Sequence, residues 1–437
     1  TFTYTQDANT PEILLTIKDA SGNEIKSITG LTYKTNVTDG KGASISGFDI
    51  TTKSGLITLF DNREITTTSS KTEEWNITVT FVNYNANQAG NAGKSFNAKL
   101  MIQKEKIPTV LSDVCTSGNN LATCITTLSN KSEPSIVNIY HHTSSLANGA
   151  GDNSYRYAGA NPNNFVCFGT TESPCPTDNL YRIIGVFGEN YHGVTGKQLV
   201  KLIKYDYMTT DELGTDGDYS QTYKEWGMDS TYKGTYGDGE RIGVYYWNYK
   251  ATGSATNTWS TSLLNKTNLN TNFINNIGTT WANKIATVTW KVGGNTWANI
   301  GTKTSSVAYT NEITNPVTTN TTDNATTYSA KIGLMYVSDY GYSVQKNYWG
   351  EILFNYNGIS IDGPLRLLNW MYMGATEWTI SPDTTATYDV FAIYYDGRII
   401  NQTVDDLSFY FRPVFFLNSS VSYVSGTGTQ SDPIRIN

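Results

Sequence analysis

The chain has 437 residues, of which 38% are hydrophobic, 13% are aromatic and only 16% are charged. This length exceeds one ordinary domain, so two or three domains with substantial cores are expected. The formal net charge is −7 and no Lys/Arg-rich run is present. Nucleic acids and anionic membrane surfaces are therefore not expected as partners, because both attract clustered positive charge.

Residues 1–105 are predicted to form a β-sandwich domain. Residues 75–81 alternate strictly, with Trp75, Ile77, Val79 and Phe81 on one face. Residues 96–102 repeat the alternation after an Asn- and Gly-rich loop. Further short strands are predicted at 13–17, 45–50 and 56–60. Short strands at regular spacing, with turn signals between them, are typical of a sandwich.

Residues 106–135 are predicted to be a short helical connector. Pro108 closes the sandwich, and two helix-like pieces follow at 110–115 and 121–128.

Four cysteines, Cys115, Cys124, Cys167 and Cys175, fall into two sequence-local pairs without a CxxC motif. This spacing disfavours a structural zinc site. It favours disulfides 115–124 and 167–175, which imply an oxidising compartment. Four reduced cysteines in a cytosolic protein are the alternative. No apolar run of roughly 18 residues, the length needed to cross a bilayer, is present. The first residue is Thr1 rather than Met, which is the start expected of a chain whose export signal has been removed.

Residues 136–437 are predicted to form a larger α+β domain. Strands are expected at 181–187, 199–205, 242–247 and 332–337, and a helix is expected over 259–277. Asp396-Gly397 between two β-rich runs predicts a hairpin with a type I′ turn. Residues 293–328 are rich in Thr, Asn and Gly, which predicts that this segment includes an exposed loop.

Residues 74–83, the loop that ends in Asn91-Ala92-Gly93-Lys94 and residues 95–102 resemble the end of the TasA/camelysin-like domain of Gram-positive surface proteins and biofilm fibres. The resemblance implies a jelly-roll sandwich whose subunits join when an extended N-terminal segment completes a neighbour's sheet. The alternating residues Thr1, Phe2, Thr3, Tyr4 and Thr5 are the donor-strand candidates. The first domain is shorter than that family's, and it lacks an HExxH motif, so protease activity is not carried over.

The larger domain contains, in order, 257–265 (NTWSTSLLN), Asn369-Trp370, 377–382 (EWTISP), Asp396-Gly397, 411–414 (FRPV) and 425–429 (SGTGT). This series resembles a domain of gut Firmicutes surface proteins that is similar to C-type-lectin-like folds of the formylglycine-generating-enzyme type. The resemblance implies lectin-like binding, although a fold does not fix a function. Those enzymes depend on cysteines in their C-terminal half. Here no cysteine follows Cys175, so the enzymatic branch is not expected.

No catalytic residues, metal ligands or cofactors are predicted. The histidines His141, His142 and His192 are interpreted as surface residues, and no GxSxG elbow accompanies them. Asp211, Glu212, Asp216 and Asp218 form an acidic loop that could hold calcium, but it lacks EF-hand spacing and a solvated loop is favoured. The dense aromatic residues are expected to lie mostly in the core.

The sequence therefore predicts a mainly β, extracellular protein of the bacterial cell surface that binds or assembles. The first hypothesis is a biofilm-type filament subunit, a homopolymer built by strand addition that displays a lectin-like head. The alternative is a monomeric secreted adhesin that binds glycan or host protein. A secreted glycan-processing enzyme is a third possibility, with no recognisable acid/base pair to support it.

Overall fold

The computed structural model describes residues 10–60, 74–88, 91, 95–100, 108–214, 219–220, 244–250, 253–317, 326–405 and 409–437. The chain divides into two units, Thr1–Lys106 and Ile107–Asn437. The fold is mainly β, and its paired strands are antiparallel. No sheet formed by the described residues closes into a barrel.

Four strands form the sheet of the first unit: β1 Ile13–Asp19, β2 Thr32–Thr38, β3 Ser44–Asp49 and β4 Trp75–Phe81. Their spatial order is β2-β3-β1-β4. The β1–β4 pairing runs the full length of both strands. Among the residues described in this unit only this one sheet is formed, so the second layer expected of a sandwich is not seen there.

Alternating apolar residues of β1 produce the core of the first unit, because successive strand side chains point to opposite faces. Ile13, Leu15 and Ile17 lie on one face and pack with Phe48 and Ile50.

The β4 strand was predicted correctly from its alternation, but its apolar face is covered only in part. Trp75 and Ile77 pack against the core of the first unit. Val79 is 44% exposed and Phe81 is 46% exposed. The second half of β4 thus presents apolar side chains to solvent.

Two strands predicted in this unit are absent where the structure describes them. Residues 56–60 and 96–100 have no strand pairing, and Leu56, Phe96 and Leu100 are exposed. Residues 101–102 lie outside the described residues, as do the donor-strand candidates Thr1, Phe2, Thr3, Tyr4 and Thr5. The mostly polar strand β2 was missed, because it has no clean apolar alternation.

The second unit contains the strands β5 Ile139–His141, β6 Tyr155–Tyr157, β7 Phe165–Cys167, β8 Leu180–Phe187, β9 Leu199–Lys204, β10 Tyr219–Ser220, β11 Val244–Tyr245, β12 Val288–Lys291, β13 Thr327–Ala330, β14 Ile332–Gly333, β15 Ile359–Ser360, β16 Gly363–Pro364, β17 Glu377–Pro382, β18 Asp389–Ile393, β19 Ile399–Thr403, β20 Val414–Phe416, β21 Tyr423–Ser425 and β22 Arg435–Ile436. Its central sheet has the order β14-β20-β9-β8-β6-β5, with β7 also paired to β8. Every residue of β8 and β9 is buried, so this sheet lies inside the unit.

The α-helices are Leu121–Lys131, Pro134–Val137, Glu189–His192, Thr210–Leu213, Ile274–Asn276, Gly278–Ala282, Trp297–Ile300, Ser305–Tyr309 and Val337–Ser343. Leu264–Phe273 and Thr310–Thr314 are π-helical. Short 3-10 turns lie at Leu111–Asp113, Thr177–Asn179, Trp259–Thr261, Lys346–Tyr348, Leu353–Asn355 and Leu365–Leu368. In the described parts of the chain, no helix combines the length and the apolar character needed to cross a bilayer.

The predicted helix over 259–277 is interrupted and widened. A 3-10 turn precedes the π-helix, and an α-helical turn follows it. Buried Asn265 and Asn268 donate side-chain hydrogen bonds to the carbonyls of Trp259 and Leu213. Polar side chains that bond to nearby backbone compete with regular helical hydrogen bonds, which the apolar spacing alone does not reveal.

The segment 293–328, predicted to include an exposed loop, contains helices at Trp297–Ile300, Ser305–Tyr309 and Thr310–Thr314, and residues 318–325 lie outside the described residues. One strand prediction for the second unit is corrected. The predicted strand 332–337 ends at Gly333, since Val337 begins a helix.

Both predicted disulfides, Cys115–Cys124 and Cys167–Cys175, are formed. The first joins the Leu111–Asp113 turn to the helix Leu121–Lys131. Leu121, Ile125 and Leu128 of that helix belong to the main core of the second unit. The segment predicted as a connector, 106–135, thus packs almost entirely as part of the second unit.

The beginning and the end of the second unit are joined by backbone hydrogen bonds. Gly118 N donates to Tyr423 O at 2.9 Å, Tyr423 N donates to Asn119 O at 2.8 Å, and Leu121 N donates to Val421 O at 3.2 Å. β22 pairs with β21 beside this contact. The glycine-containing segment 426–429 forms a turn, in which Thr427 N donates to Asp432 Oδ2.

Removing the first disulfide with Cys115→Ser and Cys124→Ser should lower the free energy of unfolding. The closed loop is short, with a sequence separation of 9, so the expected loss is about 2–3 kcal/mol from chain entropy. Urea unfolding measures it. A Thr116→Ser variant of the same loop is the control.

Intact mass should rise by about 4 Da when both disulfides of the natural chain are reduced. An unchanged mass would contradict both disulfides.

Candidate functional site

A group of charged and tyrosine side chains lies inside the second unit. We call Asp152, Arg156, Lys201, Glu312 and Asp339 the buried ionic centre. Arg156 comes from β6 and Lys201 from β9, while Asp339 lies in the helix Val337–Ser343. Charged groups in a core need partners, because the interior solvates them poorly.

Lys201 and Asp339 are in direct contact at the middle of this centre. Lys201 Nζ lies 2.5 Å from Asp339 Oδ2, and both side chains are fully shielded from solvent. Lys201 Nζ also donates to Tyr191 Oη at 3.0 Å, and Tyr191 Oη donates to Asp339 Oδ1 at 2.8 Å. Burial lowers the pKa of Lys201 to about 8, although the Asp339 carboxylate opposes the shift.

Arg156 is held by Asp152 and enclosed by aromatic rings. Its Nη2 lies 2.8 Å from Asp152 Oδ2, and its Nε donates to Ser154 Oγ at 2.9 Å. The guanidinium carbon is 4.7 Å from the Phe187 ring centroid and 5.0 Å from that of Tyr342. Arginine suits such a site, because its planar group can stack and form ion pairs at the same time.

Glu312 anchors the start of the helix that carries Asp339. Its carboxylate accepts hydrogen bonds from the backbone N–H groups of Val337 at 3.1 Å and Ser338 at 3.0 Å, and from the Ser381 hydroxyl. Burial raises the pKa of Glu312 to about 7, although these hydrogen bonds oppose the shift. A carboxylate at a helix N-terminus also pairs favourably with the helix dipole.

The buried ionic centre is largely shielded from solvent, and the Asp152 side chain is its partly exposed member, at 13%. The direct role of the centre is to position β6, β9 and the helix Val337–Ser343 relative to one another. Within the described residues, no group of three or more His, Cys, Asp or Glu side chains could hold a metal ion.

The three histidines are not surface residues as the sequence interpretation had them. His142 and His192 are fully buried, and His141 is half-buried and stacks on Tyr155 at 4.1 Å. His142 Nδ1 accepts from Ala150 N at 3.0 Å. Burial lowers the pKa of His142 well below its usual value, so the neutral ring serves as a packing residue.

The acidic loop considered for calcium is described only in part. Glu212 accepts hydrogen bonds from Thr209 N and Thr209 Oγ1 and lies 3.4 Å from Lys204 Nζ. It thereby caps the helix Thr210–Leu213. Asp216 and Asp218 lie outside the described residues.

A partly exposed cluster of aromatic and planar polar side chains lies at the β18–β19 hairpin. We call it the aromatic patch, and its members are Trp297, Phe354, Tyr394, Tyr395, Asn357, Asp396 and Arg398. Trp297 is 37% exposed and meets Phe354 edge to face at 5.6 Å. Tyr394 and Tyr395 rings are 4.3 Å apart. These residues come from three separate segments of the chain.

Polar groups sit among the rings of the patch. Arg398 lies over Phe354 at 5.3 Å and over Tyr394 at 5.1 Å. Its Nε is 3.4 Å from Asp396 Oδ2, which also accepts from Asn357 Nδ2 at 3.2 Å. Rings beside an amide, a carboxylate and a guanidinium can contact the apolar face and the hydroxyls of one ligand.

The hairpin turn that presents the patch differs from the prediction. Tyr394 N donates to Arg398 O, and Gly397 N donates to Tyr394 O. Only Gly397 of the Asp396-Gly397 pair has positive φ, whereas a type I′ turn needs it at both positions. The hairpin itself was predicted correctly, and its three-residue loop ends in a left-handed glycine. A Cβ at Gly397 would lie 2.5 Å from Arg366 Cβ.

The dense aromatic residues lie mostly in the core, as predicted. Tyr245, Trp247, Tyr340, Trp349 and Trp378 are entirely buried, and the sequence did not indicate which aromatic residues are accessible. A second accessible feature, the hairpin of β15 and β16, was also missed. Ile359 is 84% exposed and Ile361 is 76% exposed. A short run that alternates isoleucine with polar residues looks like an ordinary strand in sequence.

No family model, curated protein or solved structure matches the chain.

The Asp152–Arg156 pair should make stability depend on acid pH. Burial by itself would raise the pKa of Asp152, but Arg156 and Ser154 lower it to about 2. Because the folded-state pKa lies below the unfolded value, the stabilisation is complete above about pH 4 and is lost as pH falls towards 2. The unfolding free energy should drop by about 2 kcal/mol in that window from this group.

Urea unfolding between pH 5 and pH 2 tests this for the natural chain and for Asp152→Asn, whose side chain cannot ionise. Asp152→Asn should show a shallower loss over this range. Glu351→Gln, at an exposed site, is the matched control and should keep the natural slope. Equal slopes for Asp152→Asn and the natural chain would refute the assignment.

Proposed function

We propose that the protein is a non-enzymatic, extracellular surface protein whose second unit binds glycan at the aromatic patch. The observation that carries the proposal is the grouping of exposed Trp297 with half-buried Phe354 and Tyr394 beside Asp396 and Arg398. The resemblance of residues 180–437 to lectin-like domains favours the same kind of ligand.

The chemistry of the patch suits a sugar ring. Aromatic faces pack against the C–H face of a pyranose, and this contact needs rings with limited side-chain freedom. Planar polar groups then accept from or donate to the hydroxyls at the rim. Asp396 is already oriented by Asn357 and Arg398, so little ordering cost is expected on binding.

The two disulfides support an extracellular location. Disulfides persist in oxidising compartments and are rare where thiol reductants are abundant. Both pairs are formed in the second unit, which would carry the binding surface.

Glycan-array screening of the full chain, followed by titration of any bound sugar, tests the proposal. Tyr394→Ala and Trp297→Ala should each weaken binding by about tenfold or more, since each removes a stacking surface worth about 1.4 kcal/mol or more. Tyr388→Ala changes an exposed tyrosine outside the patch and should bind normally. Binding to no glycan, or patch variants that bind like Tyr388→Ala, would refute the proposal.

A second function, subunit of a bacterial surface fibre, is favoured by a separate observation in the first unit. Val79 and Phe81 leave the second half of β4 with exposed apolar side chains. An alternating segment such as Thr1–Thr5 of another copy would cover them by strand addition. The resemblance to TasA/camelysin-like domains favours this assembly, and the fibre would then display the glycan-binding unit.

Deletion of residues 1–8 should abolish filaments in electron micrographs, because the donor strand is lost. Val79→Lys should weaken assembly at the accepting strand, while Lys99→Ala, elsewhere in the same unit, should leave it unchanged. Normal filaments after the deletion would rule out assembly by this segment.

A further inference from the structure

The contact between Lys201 and Asp339 has the features of a reactive pair as well as those of an ion pair. Lys201 Nζ and Asp339 Oδ2 are in direct contact at 2.5 Å, and both side chains are fully shielded from solvent. The two residues are 138 positions apart in the chain. Strand β9 and the helix Val337–Ser343, both buried, hold them together.

The surroundings disfavour the ammonium form of Lys201, because burial lowers its pKa to about 8. Lys201 Nζ lies 4.4–5.7 Å from the ring centroids of Phe187, Tyr191, Trp290, Tyr336 and Phe416. Such an apolar enclosure penalises an isolated ammonium and an isolated carboxylate alike. A proton that moves from Nζ to Oδ2 within the contact gives a free amine beside a carboxylic acid, with no charge left to solvate.

The other carboxyl oxygen is held by donors. Asp339 Oδ1 accepts from Tyr191 Oη at 2.8 Å and lies 3.7 Å from Arg156 Nη1. Burial raises the pKa of Tyr191 well above its usual value, so this hydroxyl keeps its proton. Donors aimed at one carbonyl oxygen stabilise negative charge that develops there during nucleophilic attack.

From this geometry we propose that Lys201 and Asp339 condense into an intramolecular amide, an isopeptide cross-link formed by the folded chain without a cofactor.

The step balances within the pair. One proton passes from the Lys201 ammonium to Asp339 Oδ2, and the amine then attacks Asp339 Cγ. The new N–C bond forms as Oδ1 takes up negative charge opposite Tyr191 and Arg156. A second proton from nitrogen passes to the Oδ2 hydroxyl, which leaves as water, and the amide nitrogen keeps one hydrogen. No oxidant or activated donor is required.

The cross-link would tie a central strand of the sheet to a helix packed against it. It would close a covalent loop through residues 201–339, which lowers the entropy of the unfolded chain as any long loop closure does. Unlike the two disulfides, an amide resists reductants. This inference is independent of the glycan and fibre proposals, since it concerns the chain alone.

Mass spectrometry of the denatured, fully reduced full chain tests the proposal. The natural chain should weigh about 18 Da less than its sequence mass, the mass of one water lost on condensation. Proteolysis should yield a branched peptide that contains both Lys201 and Asp339. A full sequence mass, with Lys201 and Asp339 recovered in separate unmodified peptides, would overturn the proposal.

Variants give a second, independent readout. Lys201→Arg should show its full sequence mass, because a guanidinium does not attack. Asp339→Asn should still condense with loss of ammonia, about 17 Da, and should give the same branched peptide as the natural chain. Tyr191→Phe should show a smaller fraction of cross-linked chain than the natural protein when both are sampled at the same time after synthesis. An unchanged deficit in Lys201→Arg would place the lost water elsewhere and overturn the assignment.

Discussion

The need to pair charged side chains inside the core is the constraint on which the second unit depends. Lys201 and Arg156 enter the interior from neighbouring regions of one sheet, and Asp339 and Asp152 meet them from a helix and a loop. Leaving any of these ions unpaired would cost several kcal/mol. A shift of β9 by one residue would turn Lys201 to the opposite face, so the ion pairs select the register of the sheet and the position of the helix together.

Local patterns predicted some features correctly, although the alternation at 96–100 did not produce a strand. Strict alternation located β4, and close cysteine spacing located both disulfides. The features that sequence analysis missed depend on contacts between residues far apart in the chain. The motif around Lys201 looks like a strand with polar positions facing solvent, and its partner Asp339 is far away in sequence. A sequence does not distinguish a lysine whose amine reaches water from one whose amine ends in the core, because that depends on what packs over the sheet.

The aromatic residues were predicted in part. Dense aromatic runs supply core residues as expected, such as Tyr245 and Trp247, since large rings supply much of the area that a sheet can bury. The aromatic patch instead gathers single residues from three segments. Its hairpin is held from beneath, where Tyr340 Oη donates to Gly397 O at 2.8 Å. Buried Tyr340 therefore supports the hairpin that carries the aromatic patch, although composition alone gives no reason to connect this residue with binding.

The hydrogen bonds between residues 118–121 and 421–423 hold the beginning and the end of the second unit side by side. Tension applied to the chain on both sides of this unit would therefore act first across those few bonds. These hydrogen bonds would break before the force acted on the central sheet. The same closeness means that the unit could be inserted into a surface loop of another protein without separating the ends of that loop.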